Sequence, residues 1–248
     1  MALLFTFYNV YYIMIRTRKG EVIRLKLNEK GLLVVISGPS GVGKGTVRRA
    51  LFENHEHEYF YSISMTTRAP REGEVEGEDY YFVSREEFEQ RIKEGKFLEW
   101  AEFVGNYYGT PRDVIENQLD LGKEVILEVE VNGALQIRET MKDAVFIFIV
   151  PPGKQALYDR LLKRGTEAPE KVMARIEKAD NEFLLAHKYD YIVVNDDVSN
   201  AADRIRAIIR AEHAKTQRSI HGYLEMLRGE RKWKKIKMEC VILQLTIY

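Results

Sequence analysis

The sequence predicts an α/β fold: a parallel sheet flanked by helices, interrupted by a small, mostly β insertion. Three observations carry that expectation. Continuous apolar runs of strand length alternate with stretches of helical period, the pattern of strands buried on both faces. A Gly-rich turn joins the first such run to a helix. Between about residues 62 and 110 the rhythm breaks into short β-like pieces punctuated by glycines.

The first buried-type strand is Leu32–Ser37 (LLVVIS), bounded by Gly31 and Gly38. A helix follows through about Asn54. Further strands are expected at Val125–Val131, at Ala144–Val150 (stopped by Pro151-Pro152) and at Tyr191–Val194. Helical patterns cover about Ser84–Lys93, Pro111–Leu121, Lys154–Arg164, Glu170–His187 and Ser199–Lys215. In the insertion, Tyr61–Thr66, Tyr80–Val83 and Phe97–Phe103 read as short strands between glycines 73, 77, 95, 105 and 109.

The chain has 248 residues, 45% of them hydrophobic, with a formal net charge of zero. The charge is uneven. Residues 1–31 carry six Lys/Arg against two Asp/Glu, residues 228–248 the same, and residues 32–227 are therefore at −8. An acidic body argues against a general nucleic-acid binder, and any anion it binds must be held in a local pocket rather than by the overall field. The single Cys240 permits no intrachain disulfide, which fits a reducing, cytoplasmic setting. His55 and His57 lie in a polar run and read as a solvated turn rather than metal ligands. The apolar residues 1–15 are too few to span a bilayer, which takes about 20. Their positive charges follow the apolar run, whereas a secretory signal puts them first. Residues 1–30 are thus expected to be a poorly ordered extension and 214–248 a helical, basic tail, with no membrane partner. No oligomeric state follows from the sequence.

The strongest motif is Gly38-Pro39-Ser40-Gly41-Val42-Gly43-Lys44-Gly45-Thr46, between strand and helix. That context is what a phosphate loop requires. Glycines let successive backbone N–H groups turn onto phosphate oxygens, and the helix N-terminus adds donors and a favourable dipole. Lys44 can reach the β- and γ-phosphates. The residue after Lys44 is Gly45, where a Mg²⁺-ligating Ser or Thr is usual, so the ion is expected to be held mainly by phosphates and water. This GKGT form resembles nucleoside monophosphate kinases more than GTPases.

A second anion site is suggested by Arg68 and Arg71, three residues apart in a segment that Pro70 and Gly73 keep from being helical. Around them run Ser62-Ile63-Ser64-Met65-Thr66-Thr67-Arg68-Ala69-Pro70-Arg71-Glu72-Gly73-Glu74, then Gly77-Glu78-Asp79-Tyr80-Tyr81-Phe82, Phe97-Leu98-Glu99-Trp100-Ala101-Glu102 and Gly105-Asn106-Tyr107-Tyr108-Gly109-Thr110. With the phosphate loop, the Arg-rich segment 160–175 and Val194-Asn195-Asp196-Asp197, this ordered set resembles the guanylate kinase family over about residues 31–213.

The resemblance implies a P-loop nucleoside monophosphate kinase fold, with the insertion at 62–110 binding GMP and a helical lid at about 160–175. It implies Mg-dependent transfer of the γ-phosphoryl of ATP to GMP, as in GMP recycling. ATP would be held by residues 38–46 and Asn195. GMP would be held by Ser64, Arg68, Arg71, Tyr80, Glu99, Tyr108, Thr110 and Glu128, with Ser64, Glu99 and Thr110 reading guanine. Lys44, Arg68, Arg164 and Arg175 would serve the transfer itself. The chemistry agrees: guanine offers N1–H and N2–H₂ to a carboxylate and O6 to a hydroxyl, and adenine would leave that carboxylate unpaired. Glu128 and Glu130, two apart on an expected strand, would share a face. Another nucleoside monophosphate kinase and a non-catalytic, peptide-binding module of the same family are the alternatives. The intact phosphate loop argues against the module, and Glu99 with the GNYYGT segment against other monophosphates.

Overall fold

The computed structural model describes residues 12–16, 22–26, 30–53, 59–162, 169–225 and 227–228. They fall into two compact units, residues 30–209 and the two ends of the chain, 1–29 with 210–248. In the unit made by the ends, β1 (Tyr12–Arg16) and β2 (Val22–Lys26) form an antiparallel pair. The rest of the expected N-terminal extension, and residues 229–248 of the expected tail, lie outside the described residues.

The larger unit is built on a parallel sheet of five strands in the order β11-β10-β3-β9-β4. These are β3 (Leu33–Ser37), β4 (Tyr59–Tyr61), β9 (Glu124–Glu128), β10 (Val145–Val150) and β11 (Tyr191–Val194). The helices are α1 (Lys44–Glu53), α2 (Arg85–Lys93), α3 (Arg112–Asp120), α4 (Val131–Thr140), α5 (Lys154–Leu162), α6 (Pro169–Phe183) and α7 (Val198–Ala214).

The strand periodicity explains why both faces are covered. Along β3, Val34 and Ile36 point into one core with Val47, Leu51, Leu157, Leu161, Val172 and Ile205. Leu33 and Val35 point into the other, with Ile115, Leu119, Val125, Leu127, Ala134 and Phe146. All five residues of β3 are buried, so a continuous apolar run is what this position demands. Each such side chain contributes about 1.5–3 kcal/mol on burial.

The insertion is a separate four-stranded sheet, β6-β5-β8-β7, from β5 (Met65–Thr66), β6 (Tyr81–Phe82), β7 (Phe97–Phe103) and β8 (Asn106–Pro111). Its own small core is Met65, Phe88 and Phe97. Phe88, from α2, stacks on Phe97 at 4.3 Å and on Tyr107 at 5.3 Å. Ser84 caps α2 by accepting from Glu87 N.

Two expectations need correction. Tyr61–Thr66 is not one strand: Tyr59–Tyr61 closes the edge of the main sheet, and only Met65–Thr66 belongs to the insertion. The strand expected to reach Val131 ends at Glu128, and the unforeseen α4 begins at Val131 with Glu130 as its N-cap residue. The alternation of Val129, Glu130 and Val131 imitates a strand, and Gly133 weakens the helical signal. That glycine has a spatial reason: a Cβ on it would lie 2.9 Å from Glu99 Oε2.

Candidate active site

The loop at residues 38–43 leaves the carboxyl end of β3, the central strand, where ligands of open parallel sheets bind. Its backbone turns through positive φ at Gly38, Gly41 and Gly43. At Gly38 a side chain would also strike the Ile149 carbonyl. The turn is fixed from behind. Asn195 Nδ2 donates to Val42 O at 2.8 Å and Arg160 Nη1 to the same oxygen at 3.1 Å. Arg160 Nη2 also donates to Asn195 O at 2.9 Å. Helix α1 then starts with Thr46 and Val47 both donating to Gly43 O. Lys44 Nζ donates to Gly38 O at 2.6 Å and Pro39 O at 3.2 Å, filling the curl of the loop. Burial lowers its pKa, and the carboxylates of Glu128, Glu130 and Glu182 oppose that. Thr46 is exposed, with its hydroxyl 3.5 Å from Arg49 Nη2.

The second cluster stands on the insertion. The Thr66-Thr67 pair ties the loop to β8: Thr66 Oγ1 donates to Tyr107 O at 2.9 Å, and Tyr107 N donates to Thr67 Oγ1 at 2.9 Å. Arg68 N donates to Thr66 Oγ1 at 3.2 Å, which sets where the arginine leaves the strand. Its guanidinium lies 5.4 Å from the Tyr80 ring centre and 5.8 Å from that of Phe82. Tyr80 in turn meets Tyr108 edge-on at 6.0 Å. Arg68, Tyr80 and Tyr108 are therefore brought together. Arg71 is exposed on the same loop. Hydrogen bonding to Glu74 raises the pKa of Arg68.

Glu99, on β7, accepts from Thr110 Oγ1, on β8, at 2.6 Å. Thr110 is fully buried. Burial raises the Glu99 pKa, the two Thr110 hydrogen bonds oppose it, and the charge of Glu130 adds to it. Ser64 is half-buried just before β5. Together these give a recessed carboxylate beside a hydroxyl.

Glu130 lies past the end of β9, so strand alternation does not set Glu128 and Glu130 side by side, although both carboxylates act on Lys44. Glu128 ends β9 against α1, accepting from Arg48 Nε at 3.1 Å and lying 3.7 Å from where a Gly45 Cβ would be. Arg48 also covers the Tyr61 ring at 4.1 Å. Glu130, past the strand end, accepts from Lys178 Nζ at 3.1 Å. Lys178 and Glu182 lie on α6, which also carries the half-buried Arg175. Arg164 lies outside the described residues, as does 163–168 of the expected lid.

Arg48, Glu74, Arg160 and Lys178 were not singled out from the sequence, because a charged residue on a helix or loop has no local signal that it faces a site. For Glu74 a clue existed: it closes the same short run that holds both arginines.

Comparison with known proteins gives the family. The family model described as guanylate kinase matches residues 30–212. The guanylate kinase of Onion yellows phytoplasma (strain OY-M) is 63% identical over 204 residues, 82% of this chain and 96% of that one. That of Listeria monocytogenes serotype 4b (strain F2365) is 55% identical over 203 residues, covering 82% and 99%. The crystal structure of guanylate kinase from Anaplasma phagocytophilum aligns with a TM-score of 0.64 at 38% identity, covering 82% of this chain and 97% of that one. With a phosphate loop, a paired-arginine loop and a buried carboxylate–hydroxyl pair in one unit of 180 residues, and with relatives of this likeness, the chain belongs to the guanylate kinase family.

Proposed function

We propose that the chain catalyses transfer of the γ-phosphoryl of ATP to GMP, giving ADP and GDP. The observation that carries this reading is the Glu99–Thr110 pair on the insertion. It is a guanine reader beside an arginine loop, in the same unit as a phosphate loop. In the proposed complex, residues 38–46 hold the ATP phosphates and Asn195 borders adenine. Arg68, Arg71, Tyr80 and Tyr108 hold the GMP phosphate, while Ser64, Glu99 and Thr110 read the base.

Lys44 exchanges its carbonyl partners for phosphate oxygens and follows their charge into the transition state. Glu128 keeps its proposed GMP role, now shared with Arg48 and Tyr61. Arg175, with Arg164, brings positive charge to the moving group. Mg²⁺, bound with ATP mainly through phosphates and water, would supply positive charge to the phosphoryl group being transferred. Glu128, beside the first turn of α1, is the carboxylate suited to a water on that ion. No helix among the described residues is long and apolar enough to cross a membrane. A cytoplasmic enzyme of small-molecule substrates fits the single Cys240 and the −8 charge of residues 32–227, which argues against nucleic acid.

The test is a coupled ADP-release assay with GMP and AMP in competition. Turnover with GMP and little with AMP is expected. ATP binding without GMP-dependent turnover, or equal use of AMP, would reject the reading.

A further inference from the structure

We propose that Glu74 is a positioning residue, an internal carboxylate that presets Arg68 for the phosphate of GMP. The proposal rests on the reading of Arg68 as a phosphate ligand given above. Glu74 grips the guanidinium end-on: Arg68 Nη1 donates to Oε2 at 2.9 Å and Nη2 to Oε1 at 2.8 Å. Arg68 Nη1 also donates to Ala69 O at 2.7 Å. A guanidinium has five N–H donors in a fixed plane. With the end edge on Glu74 and the outer Nη1 hydrogen on Ala69, the donors left are Nε–H and the second Nη2 hydrogen. These form the side edge, the other fork that matches a phosphate. The flanking rings of Tyr80 and Phe82 hold the plane.

Glu74 is itself held. Arg71 N donates to Glu74 Oε2 at 2.8 Å, and Glu74 N donates to Arg71 O at 3.1 Å, so the carboxylate closes the 68–74 loop on both arginines. Neither partner is a free surface group: the Arg68 and Glu74 side chains are only 14% and 19% exposed. A long arginine loses rotamer freedom on binding a ligand. Here that loss is met before GMP arrives, at the cost of one negative charge beside a site for a dianion.

The opposite role makes the opposite prediction. If Glu74 were a plug occupying the phosphate site, neutralising it would tighten GMP. If it positions Arg68, Glu74→Gln, which offers one acceptor oxygen in place of two, weakens GMP although the site becomes more positive.

Steady-state kinetics on the full chain separate these. For Glu74→Gln we expect KM for GMP to rise about tenfold, the equivalent of about 1.4 kcal/mol, with a lower kcat and unchanged KM for ATP. Inhibition by guanosine, which has the base but no phosphate, should be unchanged. An unchanged or lower KM for GMP overturns the proposal, and so does an equal loss of guanosine inhibition, which would mean only a damaged insertion. Arg68→Lys is measured alongside. If that variant keeps the wild-type KM for GMP, the phosphate reading of Arg68 fails. If it loses GMP and Glu74→Gln does not, only the positioning proposal fails. Should Glu74→Gln not fold, ¹⁵N spectra of arginine-labelled wild type, assigned with Arg68→Lys, decide. Split, slowly rotating Arg68 Nη signals with and without GMP support the proposal, and a freely rotating guanidinium in either state overturns it.

Discussion

Asn195 Nδ2 lies 2.5 Å from where a Cβ on Gly43 would sit, while donating to the carbonyl of Val42 next to it. The end of β11 and the phosphate loop are thus in direct backbone-to-side-chain contact. Gly43 has φ +91°, a conformation that costs an L side chain energy even in open space. Gly43→Ala must both strain the turn and displace a buried amide. We expect a loss of about 1–3 kcal/mol in stability, read by thermal melts. A rise in KM for ATP should exceed any change for GMP. A variant with wild-type KM for ATP would show that the loop does not depend on this contact.

Lys44 occupies its own loop in the free chain. Its ammonium is desolvated, which lowers its pKa, and nearby carboxylates only partly compensate. Lys44→Met therefore removes a buried charge without leaving a bare one, since Glu128 keeps Arg48 and Glu130 and Glu182 keep Lys178 as partners. Stability should change little, whereas kcat should fall about 10³-fold or more. Melting temperature and the coupled assay, run on the same preparation, check both halves.

These two sites were the most legible from sequence, and for a physical reason. A phosphate loop is local: strand, glycines, Lys44 and helix are consecutive, and the turn is dictated by residue type. The β3 core was legible in the same way, since all-apolar runs of this length suit only a strand covered on both faces. What escaped was set by distance in space. Glu130 leaves the strand because α4 begins there, and Gly133 is needed only because Glu99, on a different sheet, comes within reach. Arg160 reads as one more lid charge until the fold brings it to Val42 O, 118 residues away in sequence. Tyr59–Tyr61 joins the main sheet only because β9, far along the chain, offers its edge.

Glu99 should trade stability for recognition. Burial holds its carboxyl above the ordinary glutamate range. Between the ordinary and the raised pKa the folded chain keeps a proton that the unfolded chain has released. Stability therefore falls as pH rises through that window, and the deficit persists above it. Glu99→Gln removes the deficit, so the free protein should melt higher at neutral pH. It also loses the carboxylate proposed to pair with guanine N1–H and N2–H₂, and kcat/KM for GMP should drop about 10²-fold. In the wild type, KM for GMP should rise as pH falls through the raised pKa, because the protonated acid cannot accept both donors. A flat KM across that range would remove Glu99 from base recognition.

The base of the sheet offers a structural counterpart. Asp190 accepts from Arg138 Nη2 at 2.7 Å and Nη1 at 3.3 Å, and from the backbone N of Phe146 at 2.8 Å. It joins α4 and β10 to the turn before β11, with Arg138 lying over the Phe146 ring at 4.7 Å. None of these groups faces the phosphate loop or the insertion in the proposed complex. Asp190→Ala should cost about 1–3 kcal/mol through the bonds left unmade and leave KM for ATP and GMP unchanged. Equal losses in stability and in either KM would tie this clamp to the site.

Val104 is strained where nothing is buried. It sits at φ +49°, followed by Gly105 at φ +74°, at the tip of the β7–β8 hairpin, and is 80% exposed. Two-residue hairpin turns with both central residues at positive φ favour Asn-Gly. A β-branched side chain there costs about 1–2 kcal/mol. Asn106 Nδ2 already donates to Val104 O at 3.2 Å, so the turn's backbone is supported whatever side chain stands at 104. Val104→Asn should therefore stabilise the protein by about 1 kcal/mol in urea unfolding, with kcat and both KM values unchanged. A destabilised variant would mean that the exposed valine is held by contacts worth more than its backbone strain.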